Sequence, residues 1–329
     1  MVELPGQQIK QRNLNHIRKL MRKFSTATKT QLANESKLST VTLGSLMSEL
    51  ALNNEVTVDK LMPSRGGRPA QVYRFNADYA HALGLYVLQT NQVYMLYTIT
   101  VDLQGKILTC ECVILESEAR NQIVAIAKEK CQNDSLIKSI SVGIPGQALH
   151  SNILFCDVAD LVGDSLYEML KTATKQEIMI ENDMNAAVYG YADRACLHDN
   201  ECTVSIYFPM GMPPGGGILL GQRLIRGKMG MAGEISALPI SVNWKKPDQP
   251  IEEIIALFIQ IINALLAPDR IVVYRENLNQ SHLSKAIKKT CQNHHSLPEI
   301  IADESLERDY MLGITKLALS PLLPKQSNF

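Results

Sequence analysis

The stretch IMIENDMNAAVYG, residues 178–190, places two carboxylates and an amide side by side at Glu181, Asn182 and Asp183. The apolar residues before Glu181 predict a buried strand, and the small residues after Asp183 favour a helix. A carboxylate at the carboxyl end of such a strand is well placed to accept a proton or a hydrogen bond from a ligand hydroxyl group. Asp183 is therefore a candidate general base or a candidate ligand anchor. The structural alternative is that Asp183 only caps the following helix.

The segments around this stretch predict an α/β body. ALGLYVL, QVYMLYTITVD and KILTCECVIL read as strands, and a helical segment and the buried strand of SLIKSISVGIPG follow them. The alternation resumes with TVSIYF, GGGILL, a long helix and DRIVVY. This pattern predicts two related lobes with a cleft at the carboxyl ends of their strands. The predicted domains are residues 1–76, a first lobe at 77–192 joined by a C-terminal helix at 305–329, and a second lobe at 193–304 that holds the ligand cleft and the dimerisation surface.

The formal net charge of +0 conceals an asymmetry along the chain. Residues 1–76 contain 12 Lys or Arg against 5 Asp or Glu, a net charge of +7. The remaining residues contain 21 Lys or Arg against 28 Asp or Glu, a net charge of −7. A basic segment on an acidic body indicates a polyanionic partner for the basic segment alone, and double-stranded DNA is the leading candidate.

Three helical segments within the first 54 residues predict a helix-turn-helix. IKQRNLNHIRKLMRK and TKTQLANESK form the first two, and TVTLGSLMSELALNN restarts the helical period after the turn LST. In such a motif the helix after the tight turn enters the major groove. A Ser or Thr at its start can instead be a simple N-cap. The candidate DNA-contacting residues around this helix are Lys37, Ser39, Thr40, Thr42 and Ser45.

The segment EVTVDKLMPSRGGRPAQVYRFN predicts a strand, a glycine-rich loop and a second strand, which together form a wing. Arg65 and Arg68 flank two glycines in this loop, so we expect them to enter a narrow, A·T-rich minor groove. The alternative is a small helical interaction domain with one solvated basic face. The hairpin and the arginine loop together favour a winged helix-turn-helix.

The seven cysteines show no CxxC spacing and indicate reduced thiols in the cytoplasm. MVELPGQQIKQRN lacks the apolar core of a signal peptide. The long apolar helix at 251–267 is interrupted by Glu252, Glu253, Gln260 and Asn263, so it is predicted to be a buried helix rather than a membrane span. We expect no membrane partner.

Five motifs distributed over nearly the whole chain resemble the ROK family, which groups bacterial sugar-responsive repressors with sugar kinases. They are KQRNLNHIRKL, SRGGRPAQVYRF, SVGIPG, ENDMNAA and GGGILLGQRLIRGKMGMAGEI. A winged helix ahead of such a body resembles the repressor branch, which includes the xylose and N-acetylglucosamine repressors. The resemblance implies an actin-like, two-lobed, sugar-kinase-like fold and a DNA-binding homodimer or homotetramer.

The chain departs from the family's kinases at the phosphate contacts. Their Gly-x-Asp-x-Gly-x-Thr loop aligns with GLYVLQT, which has Tyr86 at the acidic position and Leu88 at the second glycine. Their second glycine-rich loop aligns with GMPPGGG, which has Met212 followed by Pro213 and Pro214. Proline has no N–H for a phosphate, and a bulky leucine blocks a close backbone approach. Tyr274 and Arg275 also replace glycines, so we expect no kinase activity, no catalytic residue and no cofactor.

The family's zinc site is also expected to be absent. Ala237 stands at the histidine position, and no cysteine occurs between residues 203 and 290, so we expect no metal. Trp244 and nearby prolines are expected to pack this segment instead.

The resemblance also implies a sugar pocket. Its candidate residues are Asn182, Asp183, Glu234 and Glu253. Carboxylates and amides suit paired hydrogen bonds to neighbouring hydroxyl groups, and helix capping is the alternative for each acid. Asp160 stands where the family often has a sugar-contacting Asn, so the ligand differs or this contact is lost.

These observations predict a DNA-binding transcriptional regulator, a repressor of sugar metabolism, that responds to a sugar between its lobes. The first alternative is a DNA-binding regulator whose body has lost sugar binding and serves oligomerisation or a protein partner. The second alternative is an ATP-dependent sugar kinase that uses Asp183 as its base.

Overall fold

A computed structural model describes residues 5–59, 71–198, 200–246, 249–293 and 295–324. The N-terminal region contains three helices and a small antiparallel sheet of strand order β1-β3-β2. Its elements are α1 (Pro5–Phe24), β1 (Thr26–Thr28), α2 (Lys29–Ser36), α3 (Thr40–Leu52), β2 (Val56–Val58) and β3 (Val72–Phe75). Arg65 and Arg68 lie outside the described residues.

Apolar residues at helical spacing form the core of the N-terminal region. Ile17 and Met21 of α1 pack with Leu32 of α2 and with Leu43 and Met47 of α3. Lys37 ends α2 in the left-handed region, with φ at 56°, which turns the chain sharply toward α3. These contacts leave the opposite side of α3 exposed.

The first lobe is built on a five-stranded sheet of order β10-β7-β4-β5-β6. Strands β4, β7 and β10 are parallel, and β5 and β6 add an antiparallel meander. Helices α4 and α5 cover one face through the core around Leu83, Ile140 and Leu166. Its elements are β4 (His81–Thr90), β5 (Val93–Asp102), β6 (Ile107–Ile114), α4 (Ala119–Asn133), β7 (Ile137–Ile144), β8 (Gly146–Leu149), β9 (Asn152–Cys156), α5 (Ser165–Thr174) and β10 (Glu177–Asn182).

The second lobe repeats this plan with the sheet order β13-β12-β11-β14-β15. Strands β11, β14 and β15 are parallel, and β12 and β13 are antiparallel additions. The helices at residues 251–266 and 280–290 cover its outer face, where their Phe258 and Leu283 pack with Ile271 of the sheet. The elements that follow β10 are α6 (Asp183–Arg194), β11 (Cys202–Tyr207), β12 (Gly215–Leu220), β13 (Arg223–Leu224), α7 (Ile251–Leu266), β14 (Arg270–Tyr274), α8 (Gln280–Thr290), β15 (Glu299–Asp303) and α9 (Leu306–Leu319).

Helices α6 and α9 form a layer between the two sheets. Their buried side chains share one core with Tyr86 of the first sheet and Tyr274 of the second. The two helices cross closely because a Cβ on Gly190 would collide with the carbonyl oxygen of Asp309, and one on Gly313 with that of Ala186. The boundary expected at residue 192 falls inside α6. Both lobes therefore share the helix that begins at Asp183.

The N-terminal region packs on the turn between β5 and β6 and on the end of α9. Arg22 donates to the carbonyl of Leu103 at 2.8 Å, and Gln104 donates to the Ser25 hydroxyl at 2.7 Å. Phe75 also packs against the apolar cluster that contains Leu319. The contact between the two regions thus combines directional hydrogen bonds with apolar packing.

Candidate functional site

A cleft of about 580 Å³ lies between the lobes, where the carboxyl ends of β4, β10 and β11 meet. Its size suits a small molecule such as a monosaccharide or disaccharide. Four carboxylates line it, and no Lys, Arg or His is among its lining residues in the described chain. The cleft wall includes Leu88, Asp157, Asn182, Asp183, Met212, Pro213, Pro214, Glu234 and Glu276.

Asn182, rather than Asp183, is the N-cap of α6. Its side-chain oxygen accepts from the backbone N–H of Asn185 at 2.9 Å, and its amide donates to Asp183 Oδ1 at 2.8 Å. Asp183 is the first helical residue, and the same Oδ1 accepts from the N–H of Met184 at 2.8 Å. The capping alternative for Asp183 was therefore wrong by one residue. These bonds hold the Asp183 carboxyl group at the cleft wall.

Burial raises the pKa of Asp183 to about 7. Two hydrogen bonds, from Met184 and Asn182, act in the opposite direction, whereas the nearby charges of Asp157 and Glu234 raise the pKa further. Burial also raises the pKa values of Asp157 and Glu234. A ligand hydroxyl group that donates to these carboxylates would replace hydration that the cleft restricts.

Glu181, the other carboxylate of the stretch, joins the lobes instead of lining the cleft. It is 3% exposed and accepts from Arg226 Nε at 3.0 Å and from Arg226 Nη2 at 2.5 Å. Asn185 donates to its second oxygen at 2.9 Å. Because Arg226 follows β13 and Glu181 lies in β10, this ion pair connects the second lobe to the first.

The structure brings Glu234 to the cleft together with Asn182 and Asp183. Gly233 positions it, because φ is +94° there and a Cβ would collide with the carbonyl oxygen of Gly216. Glu253 is exposed on α7 and is not among the residues that line the cleft. The structure therefore brings together three of the four sequence-predicted sugar residues.

Sequence reasoning missed two acidic residues of the cleft, Asp157 and Glu276. Asp160 accepts instead from the backbone N–H of Arg120 at 2.8 Å and does not line the cleft. Asp157, three residues before Asp160 in the same short segment, lines the cleft instead. Glu276 follows β14 and carried no pattern that singles it out.

The residues that the sequence analysis aligned with kinase phosphate loops lie at or near the cleft. Tyr86 is buried, stacks on Tyr97 with ring centroids 4.8 Å apart, and contacts the Tyr310 ring at 5.0 Å. Burial raises the pKa of Tyr86 well above its usual value, so its hydroxyl group stays protonated. The wall itself contains Leu88, Met212, Pro213 and Pro214.

The segment that the sequence analysis compared with the family's zinc site is packed by apolar side chains. Trp244 lies 6.2 Å from the Phe208 ring and 6.3 Å from the Phe258 ring, between centroids. The residues present do not fit zinc, since Ala237 supplies no ligand and the described residues contain no His, Cys, Asp or Glu group arranged to hold a metal ion.

The second candidate surface is the outward side of α3. Ser39 caps the helix by accepting from the N–H of Thr42 at 3.1 Å, and its hydroxyl group lies 2.9 Å from that of Thr42. Lys37, Thr40 and Ser45 are exposed nearby. The described chain has no helix long and apolar enough to cross a bilayer.

The chain is similar in sequence to two curated proteins. The xylose repressors of Bacillus subtilis and Bacillus spizizenii are each 23% identical to it over 290 residues, which cover 84% of this chain and 73% of each repressor.

Solved structures share the fold. A ROK family transcriptional regulator, described as a homologue of the E. coli Mlc protein, superposes with a TM-score of 0.70 at 16% identity and covers 96% of this chain and 98% of its own. A ROK family glucokinase from Streptomyces griseus, in complex with glucose and AMPPNP, has a TM-score of 0.55 at 15% identity and covers 73% of this chain and 100% of its own. Residues 95–248 match the ROK family profile, and the two superpositions show that they lie within an actin-like, sugar-kinase-like α/β body.

Proposed function

We propose that the chain is a DNA-binding transcriptional regulator, a repressor of sugar metabolism, that binds a sugar between its lobes and does not transfer phosphate. The observation that best supports this proposal is that one chain contains both a basic N-terminal region and a sugar-kinase-like body. The regulator structure covers 96% of this chain, whereas the glucokinase covers 73%. The difference between these two coverages corresponds to about the length of the N-terminal region, which is 76 of 329 residues.

The N-terminal region is proposed to be a winged helix-turn-helix at residues 1–76. Helices α2 and α3 meet at a tight turn, and β2 and β3 pair antiparallel on either side of residues 60–70 in the sequence. We assign DNA contacts to Lys37, Ser39, Thr40, Thr42 and Ser45 around α3, and to Arg65 and Arg68 between β2 and β3. A homodimer or homotetramer would present two such helices to two half-sites.

The cleft is proposed to bind an unphosphorylated sugar. Asn182, Asp183 and Glu234 line it, and carboxylates suit paired hydrogen bonds to neighbouring hydroxyl groups. Glu253 is not retained in this site, because it is exposed and does not line the cleft.

Phosphate transfer from ATP is disfavoured by the chemistry of the same wall. A triphosphate needs cations and backbone N–H groups, but the lining residues in the described chain include no Lys or Arg, and Pro213 and Pro214 have no N–H. Arg275 lies beside this wall, where it donates to the carbonyl of Phe208 at 2.9 Å. We therefore assign Asp183 as a ligand anchor without a catalytic role.

A thermal-shift screen of the full chain against xylose, other monosaccharides, sugar phosphates and ATP tests the cleft. We expect an unphosphorylated sugar to raise Tm, because a ligand that binds only the native state stabilises it. Asp183→Asn should weaken this response and leave sugar-free DNA binding intact, whereas Glu253→Gln, a matched loss of charge outside the cleft, should leave both unchanged. Stabilisation by ATP would support a kinase, and no response to any sugar would support a body that has lost ligand binding.

A further inference from the structure

The outward side of α3 is a stripe of small, uncharged residues. Val41, Gly44, Ser45 and Ser48 recur at helical spacing opposite the buried Leu43, Leu46, Met47 and Leu50. Val41 is 83% exposed, although it is apolar and lies in the first turn. The stripe contains no Arg, Lys, Asn or Gln, so it cannot make the paired hydrogen bonds that read guanine or adenine.

No described residue accounts for a glycine at position 44. A glycine inside a helix is less favourable than alanine, yet a Cβ at Gly44 would meet no atom of the described residues within 4 Å. Its φ is not in the left-handed region, so its backbone does not require glycine either. The Ser48 hydroxyl donates back to the Gly44 carbonyl at 2.9 Å and so keeps its own polar group close to the helix. The close approach of a partner surface would account for a glycine here.

Charge identifies the chemistry of that partner. Within the described part of the N-terminal region, Lys10, Arg18 and Arg74 pair with Glu49, Glu55 and Asp59. Arg22 forms no ion pair in the described chain but donates to the carbonyl of Leu103. The other basic residues with no ion pair in the described chain are Arg12, Lys19, Lys23, Lys29 and Lys37, and Glu35 is the one acid of the described part of this region without such a pair. This excess of cations, in a region that also presents an uncharged helix face, fits duplex DNA, which has a polyanionic backbone and apolar methyl groups in its major groove.

We propose that α3 seats this stripe on the floor of the major groove, where Gly44 permits close approach and Val41 contacts the methyl groups of thymine. Specificity at these positions then comes from apolar contact and shape rather than from paired hydrogen bonds. This inference rests on the proposed function, since it requires that the chain binds DNA.

Replacing thymine by deoxyuridine, which lacks the methyl group, tests the contact. A preferred duplex is first selected from a random pool with the full chain, and each thymine is then replaced in turn. We expect one or two replacements to weaken binding about fourfold, the effect of losing one buried methyl group. Val41→Ala should abolish this difference, while Leu52→Ala should keep it, because Leu52 is 84% exposed but lies at the other end of α3.

Substitution of Gly44 tests the close approach, and Gly6 supplies a matched control because a Cβ at Gly6 also meets nothing within 4 Å. Both Gly44→Ala and Gly6→Ala should maintain or raise Tm, since alanine favours a helix. Only Gly44→Ala should weaken DNA binding, by about tenfold or more.

A thermally stable Gly44→Ala protein with unchanged DNA affinity would overturn the close approach, and equal binding of thymine and deoxyuridine duplexes would overturn the methyl contact. Failure to enrich any duplex would instead overturn the proposed function.

Discussion

The N-terminal region and the cleft differ in whether their carboxylates form ion pairs. In the N-terminal region, Glu49, Glu55 and Asp59 each pair with a Lys or Arg. In the cleft, the four lining carboxylates form no ion pair within the described chain. Among the described residues, the first arrangement leaves an excess of cations outside ion pairs, and the second leaves carboxyl groups outside ion pairs. A chain of zero formal charge can thus attract a polyanion at one end and disfavour it at the other.

The largest expected effect is the salt dependence of DNA binding. With about five basic residues of the described N-terminal region available for phosphate contacts, raising salt from about 50 to about 200 mM should lower the DNA association constant by about 10²–10³-fold, because phosphate counterions are released on binding. Fluorescence anisotropy with a labelled duplex measures it. The same change in salt should leave the affinity of a neutral sugar for the cleft nearly constant. If the affinities for DNA and for the sugar depended equally on salt, the electrostatic contrast between the two regions would be contradicted.

Removing the two arginines of SRGGRP should have the next largest effect. Arg65→Ala with Arg68→Ala is expected to weaken binding by about 1–3 kcal/mol per lost contact and to reduce a preference for A·T-rich flanks. The measurement compares the affinities of A·T-flanked and G·C-flanked duplexes. An unchanged ratio would show that these arginines do not read a minor groove.

Asp183→Asn should stabilise the protein in a pH-dependent manner. The pKa of Asp183 is raised to about 7 in the folded chain, so folding becomes less favourable as pH rises from about 4 to about 7, while only the unfolded state loses its proton. Asparagine retains the oxygen that accepts from Met184 and Asn182. We expect a gain of about 1–3 kcal/mol near pH 8 that vanishes near pH 4, allowing for partial solvent screening. Urea unfolding at both pH values measures it, and a gain independent of pH would contradict the stated cause.

The smallest expected effect concerns the exposed pair of Lys10 and Glu49, whose side-chain atoms lie 2.7 Å apart. Glu49→Gln frees a cation, so DNA affinity should rise a few-fold, whereas the free energy of unfolding should change by less than about 1 kcal/mol. Glu35→Gln offers a matched loss of charge without a partner to free. If DNA affinity rises equally in both variants, the change in net charge, and not the release of Lys10, explains the increase.

The elements of both regions could be predicted from local patterns. Helical spacing of apolar residues predicted α1, α2 and α3, and the alternation of strand and helix patterns predicted the two lobes. Both predictions were possible because the spacing of apolar residues depends on which side of each element is buried. The site was predicted less completely. Asn182, Asp183 and Glu234 line the cleft, but Asp157 and Glu276 were missed, and Glu253 lies elsewhere. An acid at the end of a strand or helix has the same local signature whether it faces a cleft or solvent.

The sequence by itself determined the charge asymmetry and the order of the elements. These properties depend only on residue type and on spacing along a short segment, both of which can be read from the sequence. Tertiary structure alone decided that Glu181 binds Arg226 while Asp183, two residues later, faces the cleft. The physical reason is that Asn182 caps α6 and the chain turns there, so neighbouring acids point to different surroundings. Such a difference depends on groups from distant segments, which no local pattern contains.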